Sequence, residues 1–260
     1  MPRLAANLSL LFAELPFLER FGQARAAGFD AVECQFPYAW PAREIRARLD
    51  THGLQLVLHN LPAGDWAAGE RGIACLPARH AEFRAGLEQG IAYARTLGVQ
   101  RLNCLAGVAP PGVAEAVLRA TLVENLRVAA AALAEAGMTL LVEAINTHDV
   151  PGFFINRSAQ ALALLDEVGA DNVLFQYDVY HMQRMEGELA ATLEKALPRI
   201  GHIQIADNPG RHEPGTGEID YAFLLPWLDR IGYTGWVGCE YLPAAGTLPG
   251  LAWRERLLAR

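Results

Sequence analysis

The sequence predicts an α/β protein of the (β/α)8 TIM-barrel class, and three observations carry that expectation. Short apolar runs of strand length alternate with amphipathic helical segments along the 260-residue chain. Six glycines (Gly28, Gly53, Gly98, Gly137, Gly169 and Gly232) each stand between a helical segment and the next apolar run, where a left-handed residue turns the chain back. Four of the apolar runs are interrupted near their ends by an oxygen-bearing side chain, as barrel strands are where they open onto a site.

In chain order, residues 3–8 form the first strand. Phe17, Leu18, Phe21 and Ala24 then recur at helical spacing over 17–27. Strand two covers 31–36, and the next helix opens at Pro41 and closes at Gly53. Strand three is 54–59, and a long loop over 60–77 precedes a helix over 79–97. Strand four is 101–105, with a helix from about 114 to 136 behind it. Strand five begins at Thr139. The helix over 159–168 takes Ser158 as its expected N-cap and Gly169 as its C-cap. Strands six, seven and eight follow over 172–178, 202–207 and 235–241, separated by helices over 188–197 and 221–231 and trailed by a last helix near 250–259. Eight right-handed strand-helix steps close most economically as a barrel. An open doubly wound sheet is the alternative, but no G-x-G-x-x-G follows the first strand.

A chain that is 52% hydrophobic with no low-complexity tract or linker is expected to fold as a single domain over 1–260. Its net charge of -7 suits a soluble cytoplasmic enzyme and argues against a nucleic-acid partner. Cys34, Cys75, Cys104 and Cys239 show no C-x-x-C spacing and read as reduced core residues. Leu8–Ala13 is short and lacks a basic cluster, so it reads as the loop after the first strand rather than a signal core, and no membrane partner is expected.

The four strand-end groups are Glu143, Asp178, Gln204 and Glu240, on strands five to eight, at spacings of 35, 26 and 36 residues. The alternative for any one of them is a capping or salt-bridged residue. Four on consecutive strands point instead to one site. Three carboxylates and an amide gathered together repel unless a cation lies among them, and an all-oxygen set suits Mg2+ or Mn2+ better than zinc.

Further stretches resemble the hydroxypyruvate isomerase family of xylose-isomerase-like barrels. They are Ala6–Phe12, His59–Ile73, Gln176–Gln183, Gln204–Pro209 and the Glu213–Ile219 turn, and the likeness runs over essentially the whole chain. The resemblance implies that Glu143, Asp178, Gln204 and Glu240 are divalent-metal ligands, with Glu143 and Glu240 also the proton-transferring pair. Related ketose epimerases commonly carry His at the position of Gln204. The implied reaction interconverts hydroxypyruvate and 2-hydroxy-3-oxopropanoate (tartronate semialdehyde) or, as the alternative, acts on a 2-oxo-tetronate.

That chemistry needs a base and an acid on the two sides of an enediolate, which paired glutamates supply. His181 is expected on the loop after strand six, where the resemblance to similar epimerases implies contact with a substrate oxygen and the alternative is a plain loop histidine; His59 is expected at the same mouth. Arg211 is the candidate for a substrate carboxylate, with a solvated loop arginine as the alternative. Trp66, Glu70 and Arg71 are candidates for a lid, the alternative being a structural loop or a contact between copies in a homo-oligomer. Glu33 and Asp207 are candidate supporting partners. A metal-dependent nuclease would want more than seven histidines and a basic face, and a non-catalytic sugar-acid binder has no use for paired carboxylates.

Overall fold

Each of the eight apolar runs forms a strand that pairs in parallel with its neighbours. A computed structural model describes residues 2–258. The strands are β1 (Arg3–Asn7), β2 (Ala31–Cys34), β3 (Gln55–Asn60), β4 (Arg101–Cys104), β5 (Thr139–Glu143), β6 (Val173–Asp178), β7 (Ile200–Ile205) and β8 (Trp236–Cys239). They close in sequence order, because β1 pairs on one side with β2 (Ala5 opposite Ala31) and on the other with β8 (Ala5 opposite Gly238).

The connecting helices are α1 (Phe17–Ala26), α2 (Ala42–His52), α3 (His80–Leu97), α4 (Glu115–Glu135), α5 (Ser158–Val168), α6 (Val179–Met185), α7 (Leu189–Ala196) and α8 (Tyr221–Arg230), with α9 (Thr247–Gly250) and α10 (Trp253–Leu258) at the end. The last two replace the single helix expected near 250–259, whose final residue lies outside the described ones. All six helix-ending glycines have positive φ, from 60° at Gly53 to 86° at Gly232.

Two local expectations change. Ser158 is the first helical residue of α5 rather than its cap, and its hydroxyl donates to Glu186 instead. His181 lies within α6 and not on a loop. Asp178 starts that helix, its Oδ1 accepting from the backbone N–H groups of Tyr180 (2.8 Å) and His181 (3.2 Å).

The four cysteines are free and buried, as expected of core residues. Among the described residues no helix is long and apolar enough to cross a membrane.

Inside the barrel the chemistry is layered. Ala5, Ala31, Val57, Leu58 and Leu141 form a small apolar cluster distinct from the main core between strands and helices. Two residues further along their strands, Asn7, Glu33 and Glu143 begin a buried polar layer that includes Asn103, Gln176, His202 and Gln204. Glu33 is its hub, with Oε1 accepting from Asn7 (2.9 Å) and Gln204 (2.8 Å) and Oε2 lying 2.6 Å from His202 Nε2. Gly238 makes the room, since a Cβ there would fall 2.3–2.5 Å from the Glu33 carboxylate.

Candidate active site

Polar residues at the C-terminal ends of these strands line a cavity of about 230 Å³ together with loop residues. Gln35, Asn60, Trp66, Arg71, Glu143, Asp149, His181, Arg211 and Glu240 are among its walls. This is smaller than the ~300–1,000 Å³ of pockets that hold drug-sized ligands. A substrate of a few carbons fits that scale.

Glu143 is the last residue of β5, Asp178 the last of β6, Gln204 the penultimate residue of β7, and Glu240 follows β8 directly. Glu143 Oε2 accepts from Asn103 (2.8 Å). Glu240 Oε1 accepts from Asn7 and Gln35, both at 3.0 Å, and its Oε2 from Arg211 at 2.6 Å. Arg211 Nη2 also stands 3.8 Å from Asp178 Oδ2. Burial, with the charges of Glu240 and Asp178 added, pushes the Glu143 carboxyl well above the usual carboxylate range. Burial also raises Glu240, to about 7, against the opposing pull of Arg211.

Glu143, Asp178 and His181 offer ligand atoms that all lie within 4.8 Å of one another, a cluster able to hold a metal ion. Asp178 Oδ2 is buried and has no hydrogen-bond partner, which is the condition of a ligand oxygen. Asp178 therefore serves two ends, one oxygen capping α6 and the other facing the cluster. Glu240 and Gln204, also expected as ligands, are engaged elsewhere here. Glu240 is tied to Arg211, while the Gln204 amide donates to Glu33 and accepts from Gln176 at 2.5 Å. Its carbonyl oxygen retains a second lone pair.

The hydrogen bond at its other nitrogen suits His181 to donate. Asn146 Oδ1 accepts from the backbone of His148 (3.0 Å) and Asp149 (2.8 Å), which turns its Nδ2 to Asp149 Oδ2 (3.0 Å) and to His181 Nδ1 (2.7 Å). An Nδ1 that accepts leaves the proton on Nε2. Burial first, and Arg211 among nearby charges, lower His181 to about 4, so the ring is neutral. Its Nε2 lies 3.7 Å from both Glu143 Oε1 and Asp178 Oδ2, beyond hydrogen-bond length, and is left to donate to a bound oxygen.

The remaining expected residues divide. Trp66 lines the cavity, packed on Phe36 with ring centroids 4.8 Å apart. Arg211 lines it at a positive φ of 56°. Glu70 does not line it, because its carboxylate binds Arg79 at 2.6 and 3.1 Å and accepts from the backbone of Asp65. His59 does not line it either. Its ring is buried against Tyr38, edge to face at 5.8 Å, while the next residue, Asn60, reaches the cavity. Asp207 supports the β7–α8 turn, accepting from the backbone of Asn208, Gly215, Thr216 and Ile219.

Asn7, Gln35, Asn103 and Asn146, which hold the catalytic candidates, were not singled out in the sequence. Asn7, Gln35 and Asn103 lie at or beside the ends of strands in the first half of the barrel, where a search for polar strand ends would have found them.

The titrating groups give the protein a defined pH response. His59 and His181 sit near 4 against 6.5, so from about pH 4 to 6.5 the folded state binds fewer of their protons and stability rises with pH. Glu240, at about 7 against 4.5, and Glu143, also raised, act in the opposite sense. Above pH 6.5 only the glutamates remain of these four. The thermal midpoint of chelator-treated protein is expected to fall from there to about pH 8, and to fall less in Glu240→Gln. Identical pH profiles for the two proteins would contradict it.

A closed eight-stranded parallel barrel with buried carboxylates lining a cavity at its C-terminal mouth has the architecture of an α/β-barrel enzyme. The chain belongs to the xylose isomerase-like TIM barrel family, whose model matches residues 21–257. It is 52% identical over 255 residues to hydroxypyruvate isomerase of Escherichia coli (strain K12), covering 98% of this chain and 99% of that one. It is 50% identical to 2-oxo-tetronate isomerase of Cupriavidus necator over the full length of both. Its fold superposes with a TM-score of 0.96 on a crystal structure described as an AP endonuclease, family 2, from Brucella melitensis, at 46% identity and covering 98% and 99% of the two chains. The first two of these relatives, matched over nearly their full lengths, are named as isomerases of short 2-oxo acids.

Proposed function

We propose that the protein interconverts hydroxypyruvate and 2-hydroxy-3-oxopropanoate by proton transfer between adjacent carbons, with a four-carbon 2-oxo-tetronate as the alternative substrate. The observation that carries the reading is the pair of buried glutamates, Glu143 and Glu240, on the wall of one small cavity that His181 also lines.

Glu240 is the group suited to take a proton from C3. Three N–H donors, from Asn7, Gln35 and Arg211, fix its carboxylate and favour the ionised form. As the proton leaves, the C2–C3 double bond forms and the C2 carbonyl becomes an enediolate oxygen. His181 Nε2–H is available to that oxygen. Return of a proton to C2, with the C3 hydroxyl proton passing to the C2 oxygen, leaves an aldehyde at C3 and a hydroxyl at C2. Glu143, held by Asn103, is the second carboxyl for this exchange.

The donor set fits a hard divalent ion, Mg2+ or Mn2+, held by Glu143 and Asp178, with Glu240 and the Gln204 carbonyl completing an oxygen shell. When bound, it would act as a Lewis acid on the two vicinal substrate oxygens. Calorimetric titration of chelator-treated protein with Mn2+ is expected to show a single site, lost in Asp178→Asn and kept in His181→Asn. Loss of binding in His181→Asn alone would overturn the oxygen set.

A side-by-side assay of hydroxypyruvate and 2-oxo-tetronates with Mn2+ tests the reaction. Turnover of only the four-carbon acid selects the alternative, and turnover of neither sinks the reading. A nuclease reading finds less support: the cavity of about 230 Å³ is small, and the chain carries a net charge of -7.

A further inference from the structure

Two arginines line the cavity, Arg71 and Arg211, and they are in different states. Arg211 is committed, with Nη2 2.6 Å from Glu240 and 3.8 Å from Asp178. Drawing it onto a substrate carboxylate would uncover a buried glutamate whose ionised form the chemistry needs. Arg71 forms no ion pair among the described residues. Its Nη1 donates to the carbonyls of Trp66 (3.1 Å) and Glu70 (2.8 Å), and the Trp66 ring lies 4.0 Å from its guanidinium carbon.

One nitrogen is therefore pinned and one face covered by an indole. Its other edge, Nε and Nη2, has no hydrogen-bond partner among the described residues. That same edge takes a carboxylate elsewhere in this protein, where Arg119 binds Glu167 through Nε at 3.1 Å and Nη2 at 2.7 Å.

We propose that Arg71 receives the substrate carboxylate, and that the segment between β3 and α3 is built to present it. The proposal deepens the 2-oxo acid reading and rests on it. A guanidinium held flat, with its two-nitrogen edge unspent, matches the planar carboxylate of such an acid.

The acidic neighbours do not compete for it. Glu70, next in sequence, is bound to Arg79, and Asp149 on the cavity wall is bound to Arg184, Tyr180 and Asn146. The segment is also fixed in place. Gly72 donates to Ala63 O (3.0 Å) and Cys75 to Ala106 O (2.8 Å), and a Cβ at Gly72 would meet Leu105 O at 2.5 Å. The cation is thus positioned before substrate arrives, which lowers the entropy lost on binding. Substrate selection follows: the edge rewards an acid over a neutral ketose of the same length.

The test compares Arg71→Met, Arg71→Lys and Arg211→Met with the wild type, using D-glycerate as an unreactive acid and dihydroxyacetone as an uncharged competitor. In Arg71→Met, the Kd for D-glycerate and the KM for hydroxypyruvate are expected to rise about 10–100-fold, as loss of charge-assisted hydrogen bonds implies. kcat and the inhibition constant of dihydroxyacetone should move far less. Arg71→Lys should recover part of the loss.

Unchanged D-glycerate affinity in both Arg71 variants would overturn the proposal, as would loss of that affinity in Arg211→Met alone. Parallel weakening of D-glycerate and dihydroxyacetone would also overturn it, by showing a purely structural role. Wild-type protein that binds D-glycerate through Arg71 yet turns over neither 2-oxo acid would sink the functional reading and leave the carboxylate site standing.

Discussion

Glu143→Gln and Glu240→Gln are each expected to lower kcat for hydroxypyruvate by about 10²–10⁴-fold, the usual contribution of a positioned acid or base. The substitutions preserve shape. In Glu143→Gln the amide oxygen can still accept from Asn103, and in Glu240→Gln it can still accept from Asn7 and Gln35, which bond to a single carboxylate oxygen now. Neither amide can take a proton from carbon. The two variants differ in one respect: the amide in Glu240→Gln can turn its NH2 toward Arg211, donor against donor, so this variant should also disturb that guanidinium. Steady-state turnover, with circular dichroism melts as the control, checks both. Full activity in either variant would refute a mechanism that needs two carboxyl groups.

The second large effect concerns stability and lies one layer deeper. Glu33 accepts from Asn7 and Gln204 and pairs with His202, all of them buried. Glu33→Ala would leave those groups without their acceptor inside the barrel and is expected to cost about 3–5 kcal/mol, the range for removing one partner of a buried pair. Urea unfolding measures it directly. A loss below ~1 kcal/mol would show that the polar layer is not held by this carboxylate. Activity should fall as well, because Asn7 bridges Glu33 and Glu240 through a single amide nitrogen.

Much of this architecture was readable because it is periodic. The helix-ending glycines and alternating apolar runs specify eight strand-helix steps, and carboxylates that stop such runs, as Glu143 and Asp178 do, announce the open end of a barrel. What could not be read depends on one-residue differences in direction or on partners far away in the chain. His59 and Asn60 are adjacent at the end of β3, and the strand's alternation decides which of them reaches the cavity; an apolar run does not fix that phase. Glu70 reads as a lid residue until Arg79 is placed beside it, and nothing in the sequence shows that the Gln204 amide lies between Glu33 and Gln176. The helix after Asp178 escaped notice because its start signal is the same residue that reads as a ligand.

The apolar cluster across the lower half of the barrel has a consequence for traffic. Ala5, Ala31, Val57, Leu58 and Leu141 plug the interior beneath the polar layer, so the reaction chamber is a dead end rather than a passage. Reactant and product must therefore come and go on the C-terminal side of the barrel, where Trp66 and Arg71 are among the residues lining the cavity. Each turnover therefore ends with departure before the next molecule can arrive, and water reaches the reacting carbons by the same route. An occupant of that opening sets both the exchange of molecules and the exposure of the half-reacted one.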